Sequence, residues 1–376
     1  MTGNVKKKNA AFTALQRLSL KHTIDPFWTL FPHHPSTEPN HNIKYSISII
    51  SCNSAVEAMP PTPTINSIHH TATGTWQYIV ADPNTLNAVV IDPVLDFDAA
   101  TQSISTANAD DLVSAITAKG YNVVRILETH AHADHLTASA YLQQVLGHIQ
   151  GSKPPICIGK RITQVQQTFG QKYGIPASEL ENAFDHLLDD DEVFQIGDLQ
   201  AQVVHLPGHT PDHVGYLIGG EYPKQQNPQT VETNPLTPST DNIFCGDSVF
   251  NADLGVARCD FPGGSAKALY QSTRKLLSLP DHVRIWTGHD YPSATRKEPV
   301  PFMSVAEQRE RNGYLQVGLT EEAFLGKRTR RDAGLGEPKL LHQSLQVNIR
   351  GGRLPRPSSE AQRFLVLPLR LGAAKW

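Results

Sequence analysis

The chain has 376 residues, of which 39% are hydrophobic and 18% are charged, a balance typical of a folded globular protein. Its formal net charge of -3 gives no reason to expect nucleic acid or an anionic membrane as the main partner. No apolar run approaches the length needed to span a bilayer. The four cysteines match neither a zinc-finger pattern nor a secreted disulfide framework, so we expect them to be reduced inside a cell. The unusual feature is the 17 histidines, because imidazole is the commonest transition-metal ligand.

Residues 1–62 differ in composition from the rest of the chain. Basic residues outnumber acidic ones, prolines interrupt the segment repeatedly, and no apolar period persists. We therefore predict a mostly disordered extension. Its first 24 residues are basic and contain no acid, which is compatible with a mitochondrial presequence; a dispensable tail is the alternative. The expected compartment is accordingly mitochondrial or cytoplasmic.

From residue 63 onward, strand-like and helix-like patterns alternate. Short β-branched or alternating apolar runs predict strands at 76–80, 88–93, 123–127, 156–158, 193–196, 201–205, 214–218, 243–245 and 283–286. Apolar residues at helical spacing predict helices at 110–119, 138–146 and 265–278. This alternation predicts an α/β fold with two mixed sheets and helices outside them, a four-layer αβ/βα sandwich.

The predicted elements also suggest how the chain is divided. We assign residues 63–300 to a catalytic domain and residues 301–355 to a C-terminal extension of it, followed by a tail of unknown structure at 356–376. Residues 221–241 are polar and rich in proline and threonine, so we predict a surface insertion between two strands. The basic run at 327–331 is predicted to be a solvated helix face, with a nucleic-acid contact as the alternative.

The strongest functional signal is the segment ETHAHADH at residues 128–135, which directly follows a predicted strand. A strand end is rigid, and the loop after it can turn several side chains inward. His130 and His132 can both reach one metal ion, while Asp134 and His135 can turn toward a second position. A chance histidine-rich loop is the alternative, but three histidines and an aspartate between a strand and a helix favour a metal site.

Three further candidate ligands follow later predicted strands. They are His209 in LPGHT, Asp247 in CGDS and His289 in GHDY. A glycine beside each ligand permits close backbone approach and unusual dihedral angles. A single histidine in such a place is more often structural, so the prediction depends on all four motifs occurring in this order.

The motif series HxHxDH, PGHT, GD and GHDY resembles that of the metallo-β-lactamase superfamily, over roughly residues 64–355. The resemblance implies the fold of that superfamily and a metal-dependent enzyme. By analogy with the family, His130, His132 and His209 face one metal ion. A second ion would be faced by Asp134, His135 and His289, with Asp247 bridging the two.

One branch of the superfamily fits best. The segment GVARCDFPGG at 255–264 resembles persulfide dioxygenases, as do the residues around the first and last motifs. That branch implies a single Fe²⁺ per chain, held by His130, His209 and Asp247; two Zn²⁺ or mixed metals are the alternative. Two imidazoles and one carboxylate leave positions open, which suits iron chemistry with O₂. The implied reaction oxidises glutathione persulfide with O₂ to sulfite and glutathione, a step of sulfide detoxification and glutathione metabolism.

In that branch, His132, Asp134, His135 and His289 would orient the ligands and tune their basicity. Enzymes of this kind are often dimers, so a homodimer is one expected state.

Two residues are candidate substrate contacts. Arg258 could hold a glutathione carboxylate in a bidentate pair, with a structural salt bridge to Asp260 as an equal alternative. Tyr291 follows the last motif closely enough for its hydroxyl to enter the site and take part in catalysis, and a packed tyrosine is its alternative. Asp212 and His213, just after the PGHT loop, are predicted to be surface residues, with a place at the rim of the site as the alternative.

Two other functions remain open at this stage. A glyoxalase II-like hydrolase of hydroxyacylglutathione thioesters would use all seven candidate ligands directly, in a dinuclear site. Glyoxalase II, however, carries a C-terminal helical domain with basic substrate contacts, which has no clear counterpart in this sequence. A non-catalytic protein of the same fold would be expected to have lost ligands, and none is lost.

Overall fold

The computed structural model describes residues 61–219, 242–292, 296–369 and 371–372. The predicted N-terminal extension, apart from its last two residues, and the predicted insertion at 221–241 therefore lie outside the described residues. All the described residues belong to one compact unit. Among the described residues, no helix combines the length and the apolar character that crossing a bilayer requires.

The described residues contain fifteen strands and eight α-helices. The strands are β1 (Thr64–His70), β2 (Thr75–Ala81), β3 (Asn87–Ile91), β4 (Val94–Asp98), β5 (Ser103–Ser105), β6 (Asn122–Leu127), β7 (Leu136–Thr137), β8 (Ile156–Gly159), β9 (His186–Leu188), β10 (Val193–Ile196), β11 (Leu199–His205), β12 (Val214–Ile218), β13 (Asn242–Phe244), β14 (Arg284–Trp286) and β15 (Phe302–Ser304). The helices are α1 (Ala107–Ala118), α2 (Ser139–Gln150), α3 (Ile162–Tyr173), α4 (Ala177–Leu180), α5 (Ala266–Leu277), α6 (Val305–Arg311), α7 (Glu321–Asp332) and α8 (Leu341–Asn348).

Two six-stranded mixed sheets form the centre of the fold. The first has the strand order β1-β2-β3-β6-β8-β9, and the second has the order β10-β11-β12-β13-β14-β15. In the first sheet, β3, β6, β8 and β9 run parallel to one another. In the second, β13 and β14 are parallel, and the other neighbours are antiparallel. A small third sheet has the strand order β5-β4-β7, and its strands come from the first half of the chain.

The two large sheets share one apolar cluster. It contains Tyr78 and Val89 from the first sheet and Tyr216, Phe244 and Trp286 from the second. Aromatic rings dominate the contact: Phe244 and Trp286 are stacked with ring centroids 5.6 Å apart, and Tyr78 meets both edge-on. Such pairs contribute about 0.5–1.5 kcal/mol each beyond the burial of their area.

The outer faces of both sheets are covered by helices. α1 and α2 place Leu112 and Leu142 in the same cluster as Ile79 of β2. On the other side, Leu269 of α5 packs in one cluster with Leu217 of β12 and with residues of α7. The layers are therefore helix, sheet, sheet and helix, and the predicted αβ/βα sandwich is confirmed.

Each predicted strand and helix is present, two of them (193–196 and 214–218) with the bounds of β10 and β12 and the others with shifted ends. Several elements were not predicted. β1 was missed because it is an edge strand whose residues are only partly buried, so its sequence TINSIHH lacks a clear apolar alternation. α3 was missed because glutamine and glycine dilute its apolar stripe. α8 lacks an obvious polar face because almost all of its residues are buried.

The basic run at 327–331 lies on α7, and the predicted solvated face is wrong for Arg328. Its side chain is 1% exposed, pairs with Asp332 at 2.6 Å and donates to the carbonyl of Val256 at 3.0 Å. The other basic residues of the run are exposed. A helical turn of 3.6 residues brings one residue of such a run onto the buried face.

The Arg328–Asp332 pair yields a stability prediction. We expect Asp332→Ala to lower the free energy of unfolding by about 3–5 kcal/mol, because it leaves a buried guanidinium without its counter-ion. Arg330→Ala, on the exposed side of the same helix, should change it by less than about 0.5 kcal/mol. Denaturant titration of both variants measures the difference, and equal effects would contradict this account of the pair.

Candidate metal centre

All seven candidate ligands lie just beyond the ends of strands, where the two sheets meet. His130, His132, Asp134 and His135 occupy the loop between β6 and β7. The remaining three follow β11, β13 and β14, whose pairing makes these strands point in the same direction. Parallel strands end at a common edge, so side chains far apart in the sequence converge there. The structure thus brings together all the predicted ligands.

His130, His209 and Asp247 form one buried group of donor atoms. Oδ2 of Asp247 lies 3.6 Å from Nε2 of His209 and 4.0 Å from Nε2 of His130. Among the described residues, Nε2 of His130 and Oδ1 of Asp247 are buried without a hydrogen-bond partner. Unpaired buried polar atoms are costly unless an ion or water compensates them. This donor set therefore fits a divalent transition metal.

Asp247 also belongs to a second group of donor atoms. Nε2 of His289 lies 3.5 Å from Oδ1 of Asp247 and 3.2 Å from Oδ2 of Asp134. Asp134 also accepts a hydrogen bond from Nδ1 of His135 at 3.0 Å. Donor atoms of Asp134, Asp247 and His289 lie within 4.8 Å of one another, so they too could hold an ion. The carboxylate of Asp247 thus faces both groups of donor atoms.

His132 occupies a different environment from His130. Its Nε2 lies 3.1 Å from Oδ1 of Asp92 and 3.3 Å from Oε2 of Glu128, and all three side chains are buried. Burial lowers the pKa of His132, but the carboxylates of Asp92 and Glu128 outweigh it and hold the pKa well above the ordinary value. Its donor atoms also lie within 4.8 Å of those of Asp134 and His135.

The imidazoles of the site have opposite electrostatic tendencies. Burial and the neighbouring imidazoles of His132, His213 and His209 hold the pKa of His130 well below its ordinary value, so its ring stays neutral. Neutral imidazole is the form that binds metal ions. Burial also lowers the pKa of His289, but Asp247 and Asp134 outweigh it and raise the pKa to about 9.

Buried neighbours hold the rings of the first group in place. Nδ1 of His130 lies 3.0 Å from the hydroxyl of Thr129, which donates to Asp92 at 2.8 Å. Nδ1 of His209 lies 2.8 Å from the carbonyl of Arg258 and donates to it. A hydrogen bond at the far ring nitrogen sets the tautomer that a metal-binding imidazole needs. Asp92 was missed as a site residue because the strand was predicted to run to residue 93, whereas β3 ends at Ile91 and Asp92 follows it.

Asp212 and His213 are fully buried, so the prediction that they are surface residues is wrong. Nε2 of His213 accepts the backbone N–H of Asp247 at 3.0 Å. Oδ2 of Asp212 accepts the backbone N–H of Ala131 at 2.8 Å. Both residues lie behind the site and fix the backbone of its loops.

Asn348 of α8 holds the loop between β6 and β7 in place, although it lies near the other end of the chain. This loop, residues 128–135, is called the histidine loop below. Its amide donates to the carbonyls of His132 and His135 at 2.8 Å each, and its oxygen accepts the N–H of Thr137 at 2.9 Å. Its role depends on contacts across more than 200 residues, which no local pattern encodes.

Two glycines are required where the ligand loops meet. A Cβ on Gly288 would lie 2.3 Å from Oδ1 of Asp247. Gly246 has a φ of +49°, and a Cβ there would lie 2.6 Å from the hydroxyl of Thr129. The expectation of close backbone approach beside the ligands thus has a steric cause at these two positions.

A pocket of about 490 Å³ opens over the donor atoms. Its volume is in the range of small-molecule sites. Arg258 lines the pocket, but Nε and Nη2 of its guanidinium each donate to the carboxylate of Asp260 at 2.6 Å. Tyr291 is half-exposed at the wall, with its hydroxyl 3.2 Å from Nδ1 of His289 and the two rings stacked. Arg331 and Lys339 also line the pocket.

The cysteines of the described region are free and buried. Burial raises the pKa of Cys157 to about 11 and that of Cys245 and Cys259 to about 12. A thiol that stays protonated is a poor nucleophile. Cys245, beside the candidate ligand Asp247, is therefore a small buried residue rather than a nucleophile.

Comparison with known proteins identifies the family. The model of the metallo-β-lactamase superfamily matches residues 70–221. A probable metallo-hydrolase of Burkholderia pseudomallei is 38% identical over 310 residues, which cover 81% of this chain and 99% of that protein. A hydroxyacylglutathione hydrolase of Rhodopseudomonas palustris is 28% identical over 257 residues, which cover 66% of this chain and 77% of that protein. The chain therefore belongs to the metallo-β-lactamase superfamily.

A solved structure agrees on the fold. The crystal structure of ETHE1 from Myxococcus xanthus superimposes with a TM-score of 0.55 at 23% identity, covering 77% of this chain and all of that one. The described sandwich is thus the fold of this superfamily.

The contact between Gly288 and Asp247 leads to a metal-binding prediction. We expect Gly288→Ala to push the Asp247 carboxylate out of place and to weaken metal binding by at least about tenfold. Gly326→Ala on α7 is the matched control, because a Cβ there meets nothing closer than 3.6 Å. Competition with a chelator measures both affinities. Unchanged affinity in a folded Gly288→Ala protein would rule out this role of Gly288.

The clamp by Asn348 leads to a second prediction. Asn348→Ala leaves two buried carbonyls and one buried N–H unpaired, so we expect a loss of at least about 3 kcal/mol in stability. The metal affinity should fall with it, because the loop carries four candidate ligands. Gln343→Ala on the same helix is the control and should cost less than about 1 kcal/mol. Thermal and denaturant unfolding of the metal-free proteins, followed by chelator competition, test both effects.

Proposed function

We propose that this protein is a persulfide dioxygenase with one non-haem iron, which oxidises glutathione persulfide with O₂ to sulfite and glutathione. The observation that carries the proposal is the different placement of two neighbouring histidines. His130 faces His209 and Asp247, whereas His132 lies against the carboxylates of Asp92 and Glu128. Three donor residues face one another, whereas the ring of His132 is directed toward other carboxylates. This arrangement favours a mononuclear centre.

The donor chemistry supports iron. Two imidazoles and one carboxylate are the ligand set of many non-haem Fe²⁺ oxygenases. Held by His130, His209 and Asp247, ferrous iron would supply the one-electron chemistry that O₂ requires, with positions left open for other ligands. The cysteines among the described residues supply no ready nucleophile or redox group, since they are buried with raised pKa values.

The walls of the pocket suit a glutathione derivative. Apolar side chains, among them Phe250, Leu254 and Val256, line the pocket and would limit the access of water. Arg331 and Lys339 line the pocket and are exposed, and no ion pair occupies them among the described residues. Their charges can bind the carboxylates of a glutathione chain while its sulfur end points inward. Arg258 is already paired with Asp260, so it would instead hold the wall of the pocket in place.

A second candidate function is supported by the shared carboxylate. Asp247 also faces His289 and Asp134, and a relative carries the name hydroxyacylglutathione hydrolase. With two ions bound, the centre could lower the pKa of a water molecule for attack on a thioester. The paired environment of His132 speaks against this function, because a dinuclear site of this family would use that ring.

Metal content and O₂ uptake distinguish the two functions. The protein is purified without oxygen, iron and zinc are counted per chain, and O₂ consumption and sulfite are followed with glutathione persulfide. We expect one iron per chain and sulfite formed together with O₂ uptake. Two ions per chain, no uptake and hydrolysis of S-lactoylglutathione would overturn the dioxygenase and support the hydrolase.

A pair of variants sharpens the test. His130→Gln should lose the iron and the O₂ uptake, because it removes a ligand of the first group. Asp134→Asn, a change of the same kind in the second group, should keep one iron per chain. Loss of metal in both variants would indicate that both groups bind ions.

A further inference from the structure

A second pocket lies beside the pocket over the donor atoms. This side pocket has a volume of about 380 Å³, and its walls come mainly from β4, β5 and the segment before α8. It shares four residues with the pocket over the donor atoms, called the metal pocket here: Ala72, Thr73, Lys339 and Leu340. Two pockets with a common wall can receive two parts of one ligand.

The charges of the two pockets differ. The metal pocket is lined by four cationic side chains, and its acidic residues, Asp134 and Asp247, are both candidate metal ligands. The cations are Arg258, Arg328, Arg331 and Lys339. The side pocket is lined instead by Asp96 and Asp98, with Lys339 on the shared wall. A positively charged ligand group is therefore repelled in the metal pocket and attracted in the side pocket.

The two carboxylates of the side pocket are not equally available. Oδ1 of Asp96 lies 3.0 Å from Nε2 of His70, and its Oδ2 accepts the backbone N–H of Asn108 at 2.9 Å. Asp96 is thus engaged in the wall.

Asp98 is exposed and makes no ion pair among the described residues. Its Oδ1 accepts the backbone N–H of Ala100 at 2.7 Å and that of Thr101 at 3.2 Å. These N–H groups hold the pKa of Asp98 below its ordinary value, so the carboxylate is charged at neutral pH. Asp98 is accordingly the residue of the side pocket that can accept a cationic group.

A glutathione derivative carries one group of this kind. Its glutamyl end bears an ammonium and a carboxylate on the same carbon atom. Arg331 and Lys339 can bind carboxylates, but the metal pocket offers the ammonium no acidic partner apart from the candidate metal ligands. Because Lys339 lines both pockets, a carboxylate bound to it brings the attached ammonium to the boundary of the side pocket.

We infer that the side pocket is a subsite for the free α-amino acid end of the substrate, in which Asp98 accepts the ammonium and Lys339 binds the adjacent carboxylate. Leu95 and Phe97 supply apolar surface for the methylene groups of the same end. The protein would thereby select thiol carriers that have a free ammonium. This inference deepens the proposed function and rests on its glutathione-derived substrate.

Binding of two unreactive ligands tests the subsite. One is S-methylglutathione, and the other is its deamino analogue, S-methyl-glutaryl-cysteinylglycine, which lacks only the ammonium. Both are thioethers, so neither of the two reactions considered above consumes them. Isothermal titration calorimetry of the full-length protein measures both dissociation constants. We expect the wild type to bind S-methylglutathione about fivefold more tightly, the size of effect that one exposed ion pair provides.

Two variants separate the roles of the charged residues. Asp98→Asn keeps the shape of the side chain and an oxygen for the N–H groups of Ala100 and Thr101. It should bind S-methylglutathione as weakly as the wild type binds the deamino analogue, with unchanged affinity for that analogue. Lys339→Gln should weaken both ligands by a similar factor, because both retain the carboxylate.

Asp111→Asn is the matched control. Asp111 is an exposed acidic residue of α1 that lines neither pocket, so its loss changes the net charge by the same amount. This variant should keep the fivefold preference for the ligand with the ammonium.

Several outcomes would overturn the inference. They are equal affinities of the wild type for the two ligands, an Asp98→Asn protein that keeps the preference or loses affinity for both ligands alike, and a Lys339→Gln protein with unchanged affinities. Equal affinities together with O₂ uptake on glutathione persulfide would refute the subsite alone. A clear preference without O₂ uptake would refute the dioxygenase and leave the subsite intact.

Discussion

The centre depends on the position of one carboxylate. Asp247 lies within 4.0 Å of donor atoms of three histidines that come from three different loops. Its backbone is fixed by His213, and its side chain fits only because Gly288 has no Cβ. In this protein the face-to-face packing of the two sheets determines the separation of donor atoms, and that separation decides which ions can bind.

The positions of the candidate ligands could be predicted from the sequence because each follows a strand. Strand ends, a neighbouring glycine and the order of the motifs are local features, and they located His130, His209, Asp247 and His289 without a structure. The sandwich followed from the alternation of strands and helices for the same reason. Both results depend on short segments of sequence whose pattern reports directly on burial.

What could not be predicted depends on contacts between distant segments. Nothing in the sequence distinguishes His132 from His130, because their difference arises from Asp92 at the end of another strand. The burial of Arg328 and of Asp212 likewise results from packing that no local period reveals. The edge strand β1 was missed because partial burial weakens its apolar pattern, and α3 was missed because glutamine and glycine dilute its apolar stripe.

The clamp of α8 on the histidine loop also has a consequence for biosynthesis. Asn348 reaches carbonyls that precede it by 216 and 213 residues. During translation the histidine loop leaves the ribosome long before this amide exists. The polypeptide can assemble both sheets and still carry an unclamped loop, so the mature centre is a late product of folding. The complete centre is therefore available to a metal ion only after α8 has docked against the loop.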